Sequence, residues 1–281
     1  VSTYLKDRDY FCGHMLKTHY GPNGNDQFDW YSKNLDDFPE FIEATEQRPF
    51  FMWVGFRDAH RPYQKGAVSP PHDPAKVEVP PYLVDDQATR EDLALYYDEI
   101  SRMDEAIGRM MEQLKERGLA ENTLVVFWSD NGATGPGSNG KLRGKKGTLW
   151  EGGVRVPCVA YQPGVIRPGA CDEPAMGLDI TATMLAAAGV APAADQPLDG
   201  VDLSPLWRGE KLASRRLYWQ FKDTAAVRDG PWKLLVQGDA VTGLFNLEQD
   251  ASETTDLSRE QVERTQAMRD ALARWRAEVG R

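Results

Sequence analysis

Leu124-Val125-Val126-Phe127-Trp128 runs without a break into Ser129-Asp130-Asn131-Gly132. The chain then passes through Leu142-Arg143-Gly144-Lys145-Lys146-Gly147-Thr148 to Glu151-Gly152-Gly153-Val154-Arg155-Val156-Pro157. A short apolar run ending on an acid and an amide reads as a buried strand that delivers two hard oxygen donors, of the kind Ca²⁺ or Mg²⁺ takes. Glycines let a loop's backbone approach a ligand closely, and lysines on that loop bring positive charge for an oxyanion. Metal and anion chemistry meet in one short segment, as a site for a sulfate or phosphate ester requires.

Working outward, Tyr10–Leu16 reads as a short strand. Phe50–Phe56 reads as a second, almost continuously apolar one, as a strand buried on both faces would be. Between them, Gly21 to Asp37 reads as loop. Gly66 to Pro81 carries five prolines and reads as an extended excursion. The clearest helix opens on a capping box at Thr89–Asp92 and places Leu93, Tyr96, Ile100, Met103, Ile107, Met110 and Leu114 on one face before Gly118 stops it. This helix and the strand Thr123–Trp128 are expected to form half of a βαβ unit. Val154–Tyr161 reads as a further strand and Asp179–Gly189 as a short helix.

After Pro192 the pattern changes to short strands at Leu217–Phe221, Ala225–Arg228, Trp232–Val236 and Gly243–Leu247. A terminal helix follows over Ser258–Val279, with Val262, Met268, Leu272 and Trp275 as docking positions. The expected fold is α/β, a mostly parallel central sheet flanked by helices over residues 1–200. A small C-terminal antiparallel α+β subdomain is expected over residues 201–281.

The 281 residues are 41% hydrophobic and 27% charged, an ordinary globular composition. A formal net charge of -10 argues against nucleic acid, which demands a basic face, but not against a small anionic substrate held by a local cluster of cations. No run approaches the roughly 20 apolar residues of a membrane span. Cys12, Cys158 and Cys171 are too scattered for a disulfide framework or a zinc knuckle and read as small buried hydrophobes.

Three expected strands end in polar clusters: Lys17-Thr18-His19, Asp58-Ala59-His60 and Asp130-Asn131. Ligands of open α/β sheets bind outside the carboxyl ends of the strands, so the three clusters are expected to face one crevice. Each alone has a plainer reading. Asp-Asn-Gly after a strand is commonly a turn, the lysines of the glycine loop a solvated surface, and His60 a loop histidine bonded to nearby backbone. His14 and His72 read as surface or structural.

With those residues in place, the chain resembles the formylglycine-dependent sulfatases, arylsulfatase type, of the alkaline phosphatase superfamily. Lys17-x-His19-x-Gly21 is similar to the family's Gly-Lys-Trp-His-x-Gly, with Leu16 and Thr18 in place of its Gly and Trp. Phe56-x-Asp58-x-His60-x-Pro62 resembles the loop that supplies a catalytic histidine, and Ser129–Gly132 the metal-ligand motif. Lys146-Gly147-Thr148-x-x-Glu151-Gly152-Gly153-x-Arg155-x-Pro157 resembles the second sulfate-binding segment. Asp179–Gly189, Asp199-Gly200-Val201 and Leu244–Leu257 resemble further landmarks.

The resemblance implies that Asp130 and Asn131 ligate Ca²⁺ (Mg²⁺ being the lesser alternative) and that Lys17 and Lys146 bind sulfate oxygens. It implies that His60 protonates the leaving alcohol, and that His19 contacts or deprotonates the formylglycine hydrate. In the family that hydrated aldehyde attacks sulfur to give a covalent sulfo-enzyme, and elimination of sulfate regenerates the aldehyde. The implied partner is a sulfated small molecule or glycan, with no nucleic acid.

The family nucleophile lies in Cys/Ser-x-Pro-x-Arg, and no such motif occurs among the 281 residues. The paired aspartates that complete the family's metal site are also absent, and two protein donors fall short of the roughly six to eight that Ca²⁺ takes. The sequence is therefore expected to correspond to the C-terminal two-thirds of a sulfatase and to be inactive alone. Its rivals are a non-catalytic binder of sulfated glycans and a phosphoryl hydrolase or transferase of the same superfamily.

Overall fold

The computed structural model describes residues 1–17, 24–193 and 195–280. In chain order the elements are α1 Ser2–Lys6, β1 Phe11–Leu16, β2 Trp30–Ser32, α2 Phe38–Ala44, β3 Phe50–Gly55, α3 Gln87–Glu116, β4 Val125–Trp128, α4 Glu151–Val154, β5 Cys158–Tyr161, α5 Gly177–Ala187 and α6 Ser204–Trp207. The last five are β6 Arg216–Phe221, β7 Thr224–Asp229, β8 Trp232–Gln237, β9 Ala240–Asn246 and α7 Val262–Glu278. They divide into two compact units, the first comprising 1–124, 162–167 and 178–204, the second 125–161, 168–177 and 205–281.

The first unit is built on a parallel sheet in the order β2-β1-β3. Its central strand is β1, buried from Phe11 through Met15, whereas β3 lies at an edge and is only half-buried, with Trp53 38% exposed. The apolar run at Phe50 therefore marked a strand correctly but not the buried one. β2 lies within the segment expected as loop, because Trp30-Tyr31-Ser32 is too short to show a period between its polar flanks. Phe41 of α2 is fully buried against Phe11, Trp30, Phe38 and Phe50, and its ring fills the space that a side chain at Gly13 would need. Burial of such a ring contributes roughly 1.5–3 kcal/mol.

Helix α3 spans 30 residues, about 45 Å at the usual rise. Asp86 caps it by accepting from the Thr89 amide at 2.8 Å, so the true capping pair lies three residues upstream of the expected box. Gly118 turns at φ 67° just past its end. Val77 from the proline-rich excursion packs on Leu93 and Ala94, and the Asp98 carboxylate accepts both the backbone amide and Nδ1 of His72 at 2.8 Å. His72 is thus structural. In α5, the buried Asp179 accepts the Val201 amide, and the Thr183 hydroxyl accepts that of Leu203. A side chain at Gly200 would strike the Leu178 carbonyl at 2.2 Å. These contacts give the Asp179 and Asp199-Gly200-Val201 landmarks a packing role.

In the second unit β4 pairs antiparallel with β5. The expected βαβ continuation from α3 is not formed by the described strands, because the 129–157 loop reverses the chain with only the four-residue α4 in it. The expected strand Val154–Tyr161 is correspondingly shortened to β5. A four-stranded antiparallel meander β6-β7-β8-β9 follows. One face packs Ala225, Val227, Leu234, Val236 and Leu244 against Met268 and Leu272 of α7, and Tyr218 stacks on Trp275 at 5.2 Å. The other face packs Ala226, Leu235, Phe245 and Leu247 on Leu149, with Trp150 and Val154 beside it. Period-2 alternation produces both faces. Val262 is 64% exposed at the first turn of α7 and is not a docking residue.

All three cysteines are free. Cys12 is buried, and burial with Asp29 nearby pushes its thiol up to about 12. Cys158 and Cys171 are exposed, contrary to their reading as small buried hydrophobes.

Candidate active site

Two of the polar strand ends lie side by side in the first unit. Leu16 and Gly55 are register partners at the carboxyl ends of the parallel neighbours β1 and β3, and the Lys17 amide donates to the Gly55 carbonyl at 2.9 Å. A side chain at Gly55 would sit 2.4 Å from the Lys17 carbonyl, so glycine is required there. Leu16 turns the chain out of the strand at φ 68°, in the left-handed region where a side chain costs about 1–2 kcal/mol. This is the position where the resembled motif carries glycine. Buried His14 faces the Lys17 carbonyl through Nε2 at 3.1 Å, and burial holds its pKa below the ordinary value. Its part is to shape the Lys17 turn. His19 lies outside the described residues.

His60 is exposed on the loop after β3. Its amide donates to the Arg57 carbonyl at 2.7 Å, and its Nδ1 lies 2.7 Å from the Arg61 carbonyl. A carbonyl only accepts, so Nδ1 carries a hydrogen and Nε2 is the nitrogen left to exchange a proton with a ligand.

The second unit holds Asp130, Asn131 and Lys146. β4 delivers Asp130 and Asn131 into a turn in which the Ser129 hydroxyl donates to the Asn131 carbonyl at 2.9 Å. Neither the Asp130 carboxylate nor the Asn131 amide side chain has a hydrogen bond or ion pair among the described residues, which leaves both oxygens available to a cation. The glycine loop closes beside them. Asn139 accepts from the Ala133 amide at 2.7 Å and donates to the Ala133 and Gly144 carbonyls, while the Lys146 amide donates to the Ala133 carbonyl at 3.3 Å. The exposed Lys146 is thereby anchored through its backbone next to the Asp130-Asn131 turn.

The glycines here are dictated by backbone crossings. A side chain at Gly132 would lie 1.8 Å from the Gly152 carbonyl oxygen, and one at Gly153 would lie 2.1 Å from that of Thr148. Gly132→Ala is expected to cost about 1–3 kcal/mol in urea denaturation, as forced overpacking does. Gly108→Ala in α3, where nothing lies within 4 Å, is expected to be neutral or stabilising and serves as its control.

Glu151 begins α4 and is buried with its carboxylate on Lys233 Nζ at 2.8 Å, and the same ammonium reaches Glu253 at 2.9 Å. Glu253 accepts the Glu151 amide at 2.6 Å, and its carbonyl accepts from Arg143, whose guanidinium covers the Trp150 ring at 3.7 Å. The residues on either side of Lys146 are thus tied to β8 and to the turn at Glu253. Nothing in the local spacing around Lys233 or Glu253 announced this. The only signal was a lysine inside the apolar run of β8.

Among the described residues no group of three or more His, Cys, Asp and Glu side chains could hold a metal. Asp130 and Asn131 suit a hard cation in chemistry, but supply only part of its shell. A surface recess of about 380 Å³ lined by Ser214, Arg215, Arg216, Tyr218 and Asp229 contains none of the candidate residues.

A parallel sheet with helices, followed by an antiparallel sheet at the C-terminus, is the alkaline phosphatase-like fold. The sulfatase family model matches residues 3–190, and the chain belongs to that family. It is 35% identical to human arylsulfatase A over 209 residues, covering 69% of this chain and 38% of that protein. The chain thus spans well under half the length of this relative. Among solved structures it is similar to Ps i-CgsB in complex with k-i-k-neocarrahexaose, with TM-score 0.82 and 22% identity over 98% of this chain and 73% of that one. It is also similar to BT4656 in complex with its substrate D-glucosamine-2-N,6-O-disulfate, with TM-score 0.71 and 14% identity over 98% and 81%. These two likenesses concern the fold.

Proposed function

We propose that the protein to which this chain belongs is a sulfuric ester hydrolase that releases inorganic sulfate from a sulfated aryl or carbohydrate substrate. The observation that carries the reading is His60, an exposed imidazole with Nδ1 occupied and Nε2 open, on the loop that follows β3, whose carboxyl end adjoins Lys17. Family membership over residues 3–190 supports it, since that span contains all six candidate residues. Lys17 and Lys146 hold sulfate oxygens and offset the charge that gathers on them as the ester bond breaks. His60, protonated on both nitrogens, gives the Nε2 proton to the departing alcohol and keeps the Nδ1 hydrogen on the Arg61 carbonyl. His19 contacts the nucleophile or takes its proton.

Asp130 and Asn131 would contribute two oxygens to a Ca²⁺ (less suitably Mg²⁺), which when bound polarises the sulfate. The formylglycine expected of the family has no Cys/Ser-x-Pro-x-Arg precursor among these 281 residues. The chain by itself is therefore expected to give no turnover of an aryl sulfate with added Ca²⁺. Turnover abolished by His60→Ala would overturn that expectation. The carbohydrate-bound neighbours favour a sulfated sugar as substrate class.

A further inference from the structure

We propose that Arg102 of α3, acting with Glu99, is a positioning residue that clamps the His60 loop from both sides and sets the ring for proton delivery. The inference rests on the role proposed for His60.

One guanidinium does most of the bridging. Its Nε and Nη2 donate to Asp58 Oδ1 at 2.9 and 2.6 Å, before His60 in the chain, and its Nη1 donates to Gln64 Oε1 at 2.7 Å, after it. Nη2 also reaches Glu99 Oε2 at 2.9 Å, and Glu99 Oε1 accepts the Gln64 amide at 2.8 Å. The two acids are nearly sealed, with Asp58 and Glu99 side chains 7% and 3% exposed, while the arginine is 31% exposed. A third tie lies between them. Arg61 makes a two-pronged pair with Asp92 of α3, at 2.7 and 2.5 Å, and its guanidinium lies over the Tyr63 ring. Arg61 is also the residue whose carbonyl holds His60 Nδ1.

The chain of constraint is therefore continuous. α3 is a long helix, Arg102 and Glu99 project from successive turns of it, and their partners Asp58 and Gln64 bracket a five-residue span that contains the exposed imidazole of His60. The planar fork of arginine serves three acceptors at once, which a lysine ammonium on a flexible stem cannot reproduce. The ion pairs of this network set Asp58 and Glu99 against Arg102 and Asp92 against Arg61, while burial and the neighbouring Asp58 hold the Glu99 pKa above its ordinary value. The pairing holds the segments on either side of His60, and among the described residues no ion pair reaches its ring.

The test reads the His60 ring directly. With four histidines in the chain, side-chain nitrogen resonances can be assigned by single substitutions. In the unaltered chain His60 is expected to be a single Nδ1–H tautomer when neutral. Arg102→Lys keeps the charge and loses the fork, and Gln64→Ala leaves the ion pairs and the backbone tie to Glu99 intact and removes only the side-chain bond to Arg102. Both are expected to give a mixture of tautomers and faster exchange at His60, with His14 unchanged as an internal sign that the fold persists.

In a protein that unites this chain with a Cys/Ser-x-Pro-x-Arg segment, both variants are expected to lower kcat by about tenfold to a hundredfold with KM little changed, as misplacement of a reacting group does. A folded Arg102→Lys or Gln64→Ala chain with an unaltered His60 tautomer and unaltered kcat would overturn the proposal. If His60→Ala leaves turnover intact, the function assigned to His60 fails, while the tautomer result still decides whether the clamp exists.

Discussion

Replacing Lys233 by alanine is expected to remove about 3–5 kcal/mol of stability at neutral pH, the scale for breaking a buried pair by deleting one partner. Its side chain is fully buried, and its ammonium is the cation placed between the Glu151 and Glu253 carboxylates at 2.8 and 2.9 Å. Arg228 reaches Glu151 only at 4.0 Å. Without Lys233 two sealed carboxylates face each other across a cavity.

The loss should depend on pH with a definite sign. Burial, only partly offset by Lys233, raises the Glu253 pKa above the ordinary carboxylate value, so the folded state holds its proton more tightly than the unfolded chain does. The stability linked to that proton is present below the ordinary carboxylate range and is lost as pH rises through the raised value. Deleting Lys233 raises that value further and steepens the decline. Urea midpoints of Lys233→Ala should therefore recover toward those of the unaltered chain as pH is lowered toward 5. A loss below about 1 kcal/mol, or an equal loss at pH 5 and pH 7, would show that the triad does not hold the unit together.

His60→Ala, in a protein that unites this chain with the nucleophile segment, is expected to lower kcat by roughly 10²–10⁴ on an alkyl or sugar sulfate. The size should depend on the leaving group. A sugar alkoxide needs its proton during bond cleavage, whereas a nitrophenolate leaves without one. The same variant should therefore lose much less on a nitrophenyl sulfate. Equal losses on the two esters would mean that His60 binds rather than protonates, because charge alone does not discriminate between leaving groups. The orientation of the ring supports the acid role: the Arg61 carbonyl fixes the Nδ1 hydrogen, and Nε2 is exposed.

The parts of this architecture that lie within one element were legible in the sequence. The apolar runs at Phe11 and Phe50 gave strands whose ends carry Lys17 and His60, and short apolar segments separated by turn residues gave all four strands of the C-terminal meander. The parts that depend on long-range closure were not. β4 followed a long helix and so suggested a parallel crossover, yet its described partner is β5, reached through a loop folded back on its own glycines. Gly152 and Gly153, which the sequence shows only as part of a motif, are sites where loop carbonyls cross too closely for a Cβ.

Glu99 and Arg102 are three apart on α3, and nothing in that spacing points to residues 58 and 64. Only the structure brings Asp58 and Gln64 onto them. Beyond the lysine within the apolar run of β8, Lys233 and Glu253 gave no sign of their partner for the same reason, since each meets Glu151 across a separation of many tens of residues.

The most direct test of the sulfuric ester hydrolase assignment is a side-by-side assay of a matched sulfate and phosphate monoester of one sugar, using this chain united with its nucleophile segment in Ca²⁺. Release of inorganic sulfate that is lost on chelation and in His60→Ala, with little release of phosphate, is the expected result. Preferential release of phosphate, or no release of sulfate from a folded and calcium-loaded protein, would contradict it.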